Sequence, residues 1–136
     1  MMIFNQIDNV KNYPVLIDIL KNILKVEDML AIENEYKVSN NILFSVINNN
    51  YIIGLVGVSN SDKEIVIKHI AVQKHLQKQG IGKEIINKIH HLYPNKVIVA
   101  ETDRDAVFFY SRLGFEVLSL GEKYPGVIRY KCVKKH

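Results

Sequence analysis

The residues with the clearest chemical potential stand together in the middle of the chain. Gln77-Lys78-Gln79-Gly80-Ile81-Gly82-Lys83 follows a run rich in Ile and Val, Glu64 to Val72. It opens a segment in which Ile81, Ile85, Ile86, Ile89 and Leu92 recur at helical spacing, and Pro94 closes that segment. The order is strand, glycine loop, helix. The first turn of a helix leaves N–H groups without intrahelical partners, and the helix dipole adds partial positive charge there. Glycines let an anionic group approach that backbone closely. Lys78 and Lys83 add full charges at the rim. The chemistry expected of this stretch is the seating of a phosphate or pyrophosphate.

Spacing separates the known glycine loops. A dinucleotide fingerprint, G-x-G-x-x-G, would need a third glycine where Ile85 stands. A Walker-type loop would need glycine at Gln77 and Ser or Thr at Glu84. What remains is Q-x-x-G-x-G from Gln77 to Gly82, preceded by a strand ending in Ile70-Ala71-Val72. In this the chain resembles the GCN5-related N-acetyltransferase (GNAT) superfamily, whose acetyl-CoA signature is Gln or Arg-x-x-Gly-x-Gly or Ala. A second stretch, Ala106-Val107-Phe108-Phe109-Tyr110-Ser111-Arg112-Leu113-Gly114-Phe115, is similar to the family's A-x-x-x-Y-x-x-x-G-F motif.

The resemblance implies an acetyl-CoA-dependent N-acetyltransferase in which a primary amine, on a small molecule or a peptide, attacks the thioester directly. The residues it implies for the carrier are Ile70, Ala71, Val72, Gln77, Lys78, Gln79, Gly80, Ile81, Gly82, Lys83 and Tyr110. Tyr110 matches the tyrosine that lies near the sulfur; a phenol in reach can protonate the leaving thiolate. Val72 is implied as the main-chain N–H that stabilises the developing oxyanion, where the strand splays from its parallel neighbour. The family often has Asn seven positions before the tyrosine. Here it is Asp103, which can accept a hydrogen bond and cap a helix but adds negative charge near an anionic carrier.

An ammonium must lose its proton before it attacks. Glu101, at the end of the strand beside the splay, is the candidate for that step or for holding the amine, directly or through water. His69 alternates with Ile65, Ile67 and Ala71 along one strand and is read as a hydrogen-bonded core residue, with a role as base as the alternative. Phe109 and Phe115 are read as core. No His, Cys or carboxylate grouping has metal-ligand spacing, and no Gly-x-Ser-x-Gly elbow is present, so no metal and no covalent acyl-enzyme are expected. A non-catalytic acyl-CoA-binding regulator of the same fold is the second reading. A small basic nucleic-acid-binding domain is a remote third.

The elements that must hold these residues can be read from pattern. Met2 to Gln6 reads as a strand, Val10 to Lys25 as a helix with Pro14 near its start, and Val26 to Lys37 as a weaker helix with acidic residues Glu27, Asp28, Glu33 and Glu35. Ile42 to Ile47 and Tyr51 to Val58 form a hairpin around Asn48-Asn49-Asn50, and Glu64 to Val72 continues the meander. Gly54 and Gly57 mark a close approach, a bulge, or small residues beneath a packed helix. Lys96 to Glu101 is a strand; Thr102-Asp103-Arg104-Asp105 reads as a capping box for the helix that ends at Gly114. Phe115 to Leu120 and Val127 to Cys132 close the chain, joined by a loop from Gly121 to Gly126 that could reach the acceptor through Glu122 and Tyr124. The fold class expected is α+β: one domain over 1–136, a mixed central sheet of about six to seven strands, and helices on both faces.

Bulk properties agree. The chain has 136 residues, 48% of them hydrophobic and 24% charged, with a formal net charge of +4. That suits an anionic carrier; no basic stripe with interleaved aromatics argues for nucleic acid. The single Cys132 fits a reducing, cytoplasmic setting. The N-terminal stretch reads as neither signal peptide nor membrane span. A homodimer is compatible with the family resemblance.

Overall fold

The computed structural model describes residues 2–135. Seven strands form one mixed sheet: β1 (Met2–Gln6), β2 (Asn41–Asn48), β3 (Tyr51–Asn60), β4 (Glu64–Val72), β5 (Val97–Thr102), β6 (Glu116–Tyr124) and β7 (Val127–Lys134), in the order β1-β2-β3-β4-β5-β7-β6. All neighbours are antiparallel except β4 and β5. The helices are α1 (Pro14–Lys21), α2 (Val26–Glu35), α3 (Ile81–Leu92) and α4 (Val107–Arg112).

Two apolar layers sandwich the sheet. Ile85, Ile86 and Ile89 of α3 and Tyr110 of α4 pack with Val56, Val58, Ile65, Ile67, Ile98 and Ala100. Leu16, Ile19 and Leu20 of α1 and Ile32 of α2 pack on the other face with Leu43, Leu55 and Ala71. The amphipathic spacing of each helix therefore finds its partner, and helices cover both faces.

Several boundaries differ from the sequence reading. The first helical stretch is broken: Val10–Asn12 is a 3-10 turn, and α1 begins at Pro14, where a missing N–H costs nothing in the first turn. The loop expected from Gly121 to Gly126 is strand. β6 runs to Tyr124 and only Pro125 and Gly126 turn the chain. Register shifts between Ser119 and Gly121 and between Glu122 and Tyr124 take up the extra residues Leu120 and Lys123 as bulges. The capping box is also replaced: Thr102 belongs to β5, and Asp103 Oδ1 itself accepts from the N–H of Asp105 (3.0 Å) and of Ala106 (3.2 Å).

One irregularity reorganises the middle of the sheet. The β3–β4 register shifts between Gly57 and Val58, so Gly57 faces His69 while Val58 faces Ile67, and Lys68 is extra. One inserted residue reverses the faces of all that follows. Ile65 and Ile67 point to the α3 layer, but Ala71 belongs to the α1 layer and His69 meets Tyr36 there. His69 thus does not share a face with Ile65 and Ile67.

Candidate functional site

β4 and β5 are hydrogen-bonded partners only from Glu64 to Ile67 and from Val97 to Ala100. Beyond that the two strands continue without pairing, to Val72 and Thr102. A split opens in the sheet. Gln73 N–H is bonded to the Ile53 carbonyl on β3 at 2.9 Å. Successive main-chain groups of an extended strand point to opposite edges, so the N–H and C=O of Val72 face the split. The Gln77 side chain caps that carbonyl at 3.3 Å. Gly54 makes this register possible, since a Cβ there would come within 2.5 Å of the Ala71 carbonyl oxygen.

A groove of about 1000 Å³ begins at this split and runs to the start of α3. Ile70, Ala71 and Val72 line one end; Gln77, Lys78, Gly80, Ile81, Gly82 and Lys83 line the other. Gly80 is the N-cap of α3 with φ +83°, and no side chain caps the helix there. Lys78 also adopts a positive φ, 64°. The space in front of Gly80 is open, because nothing lies within 4 Å of a Cβ built on it. The uncapped N–H groups of the first turn, two lysines and an open approach fit a pyrophosphate.

α4 forms the facing wall. Tyr110 lines the groove yet is only 5% exposed. Its ring stands edge-on between Phe109 (centroids 5.0 Å apart) and Phe115 (5.2 Å). Burial, with the nearby Cys132 as a smaller cause, pushes its phenol well above the usual range, so it is a protonated donor at any working pH. Cys132 is fully buried, and burial raises its thiol. Phe115 is core as expected, but Phe109 also lines the groove and packs on α3: a Cβ on Gly82 would meet its ring at 2.8 Å.

The remaining residues fall outside the groove lining. Gln79 is exposed on the turn. Asp103 holds the turn before α4, and Asp105 and Ala106 line the groove in its place. Glu101 stands one residue beyond the last β4–β5 pair. It alternates with Ala100 and Thr102 and so faces the α1–α2 side, as His69 does on the opposite lip. Its carboxylate accepts from Lys123 Nζ at 3.0 Å and lies 3.9 Å from Arg129 Nε. His69 Nδ1 lies 2.6 Å from the Tyr36 hydroxyl, and its Nε2 is 4.0 Å from Glu35, which also pairs with Lys68 at 3.2 Å. Burial lowers the His69 pKa, only partly offset by Glu35.

Sequence reasoning missed Ile23, Leu76, Phe108, Arg112 and Leu113, all of which line the groove. Phe108 and Arg112 sit at i and i+4 on α4, and only the placement of the helix puts them beside the groove. Ile23 follows α1 and had no local signal. Among the described residues, no cluster of three or more His, Cys, Asp or Glu could hold a metal ion, and no helix is long and apolar enough to cross a membrane.

A split parallel strand pair leading to an uncapped, glycine-started helix makes a site suited to an extended anionic ligand. Comparison with known proteins gives the family. The model for the acetyltransferase (GNAT) domain matches residues 20–128. Among solved structures, a protein assigned to the GNAT acetyltransferase family from Desulfovibrio desulfuricans superposes with a TM-score of 0.80 at 15% identity, covering 99% of both chains. An aminoglycoside 6'-N-acetyltransferase complexed with coenzyme A gives 0.77 at 15% identity, over 97% of this chain and 96% of that one. A GNAT family acetyltransferase from Elizabethkingia anophelis with acetyl-CoA bound gives 0.72 at 18% identity, over 99% and 98%. The chain belongs to the GNAT acetyltransferase family.

Proposed function

We propose that this protein transfers an acetyl group from acetyl-CoA to a primary amine by direct attack, with no covalent acyl-enzyme. The observation that carries this reading is the continuous groove from the split at Val72 to the uncapped start of α3, with Tyr110 in its wall. The N–H groups of Ile81, Gly82 and Lys83 receive the pyrophosphate, helped by the Lys78 and Lys83 charges and by Gln77. Gln79 acts at the rim, and Asp103 acts through the turn it caps. The pantetheine arm lies along Ile70, Ala71 and Val72.

The amine nitrogen forms a bond to the thioester carbon while charge builds on its oxygen, which the Val72 N–H stabilises. The carbon–sulfur bond then breaks and the electron pair leaves on sulfur. Tyr110 gives the thiolate its proton. The ammonium first loses one proton to Glu101, directly or through water; after attack the nitrogen loses a second, which water carries back to Tyr110, so that the phenol is restored and one proton in all is released. Related structures holding coenzyme A or acetyl-CoA support the choice of carrier. The single buried cysteine supports a cytoplasmic setting.

The test is calorimetry with acetyl-CoA on the wild type and on Gly80→Glu. A side chain at Gly80 enters the open space before the helix and adds negative charge where the pyrophosphate sits, so binding should be lost. Equal binding by the two proteins would defeat the assignment.

A further inference from the structure

The two lips of the split carry opposite surpluses of charge. On the β4 lip, Glu35 and Asp28 act on His69, with Lys68 as the cation beside them. On the β5 lip the balance is reversed. Lys123 Nζ lies 3.0 Å from the Glu101 carboxylate, and Arg129 reaches the same residue twice, through Nη2 to its carbonyl at 3.3 Å and through Nε to its carboxylate at 3.9 Å. Lys131 is directly opposite Glu101 in the β5–β7 ladder, so its side chain rises from the same face. Two cations contact Glu101 at the edge of the opening, and a third rises from the same face beside them. The Lys123, Lys131 and Glu101 side chains are exposed and Arg129 is partly so, which leaves their remaining donors free to meet a ligand.

A cationic acceptor with several amines would place its further charges against this surplus. An acceptor with an anion close to its amine would match it. The spacing matters: protein cation and protein carboxylate are within 3.0–3.9 Å of each other, so the complementary ligand must also hold its two charges side by side. We propose that the acceptor is a compound of the α-amino acid type, whose carboxylate is received by Arg129 and Lys131, with Lys123 beside them, while its ammonium faces Glu101. A guanidinium suits this task because its planar fork pairs with both carboxylate oxygens. This inference rests on the acetyl transfer proposed above and names its substrate class.

The experiment measures kcat/KM for the common α-amino acids against their carboxamides, which keep the amine and lack the anion, with spermidine and kanamycin as cationic acceptors. It is run on the wild type, Arg129→Gln and Lys131→Gln. The wild type should favour at least one free acid over its carboxamide, and Arg129→Gln should shrink that ratio by about tenfold to a hundredfold, the range expected for a charged hydrogen bond. Lys131→Gln should shrink it less. A ratio unchanged in Arg129→Gln, a wild-type preference for carboxamides or polyamines, or no transfer to any acid would each overturn the proposal. Transfer to spermidine or kanamycin with none to any acid overturns this proposal alone, whereas transfer to no amine at all overturns the transferase reading with it. Thermal melts establish that the variants are folded.

Discussion

The Tyr36 hydroxyl lies 2.6 Å from His69 Nδ1, across a strand position where only glycine leaves room. A Cβ on Gly57 would overlap that hydroxyl. The contact joins the C-terminal end of α2 to the β4 bulge, two residues before Ala71 and three before Val72. It therefore ties the end of α2 to the strand that carries the proposed oxyanion donor.

Gly57→Ala should force Tyr36 out of its seat and break its bond to His69. The expected cost is about 1–3 kcal/mol, the usual range for overpacking. Tyr36→Phe, which loses the hydroxyl alone, should cost about 1 kcal/mol. Urea unfolding checks both. A Gly57→Ala protein as stable as the wild type would mean that the helix end is not held by this contact.

Acid should weaken the same contact. Burial favours neutral His69 and lowers its pKa below 6.5; Lys68 acts in the same direction, while Glu35 and Asp28 oppose them. The folded state therefore binds this proton less readily than the unfolded state. The stabilisation is complete above pH 6.5 and is lost as pH falls through the lowered folded value. The urea midpoint should drop on acidification below that point, and His69→Gln should flatten the drop. Direct NMR titration of His69 to a value above the ordinary histidine range would refute this.

Tyr110→Phe should lower turnover by about 10²- to 10⁴-fold, the range for loss of a general acid, with little change in acetyl-CoA affinity. Because burial raises the phenol pKa, the alkaline limb of the wild-type pH profile should not come from Tyr110 below pH 10. Undiminished turnover by Tyr110→Phe with any accepted amine rules out the acid role.

The two glycines of the loop should respond differently to alanine. Gly80 has space but a left-handed φ of 83°, so Gly80→Ala should cost about 1–2 kcal/mol in backbone strain. Gly82 is inside α3, where alanine gains up to about 1 kcal/mol in helix propensity. That gain offsets a small shift of the Phe109 ring, whose far end is the contact at 2.8 Å. Gly82→Ala should thus be close to neutral in stability, while raising the KM for acetyl-CoA through the displaced ring. Thermal unfolding and steady-state kinetics decide this, and the reverse order of stabilities would refute it.

Much of this architecture was legible without coordinates. The run from Ile70 to Lys83 announces strand, turn and helix by composition alone, because glycine, β-branched residues and helical spacing are local properties. The apolar faces of α1 and α3 could be read for the same reason. The β4 bulge was marked only indirectly, by Gly57 on the facing strand and as one reading among three. Lys68 looks like any strand residue, and its extra place in the ladder exists only relative to β3. With it went the facing of His69, which alternation assigned to the wrong layer. The strand character of Gly121 to Tyr124 was hidden for a similar reason: glycine, proline and charge mark a loop, but pairing with β7 overrode them.

From its residues in order, then, the chain specifies a glycine turn, the uncapped helix that follows it and the helix that carries the tyrosine two elements later, since each depends on neighbours within a few positions. Tertiary structure decided what no local pattern encodes. It separated β4 from β5 beyond Ile67 and Ala100, turned Val72's main chain toward the gap, and brought Lys123 and Arg129 against Glu101, with Lys131 opposite it, from the two closing strands. These depend on which strands lie side by side and in what register, and that is settled by burial of the two apolar layers acting on the whole chain at once.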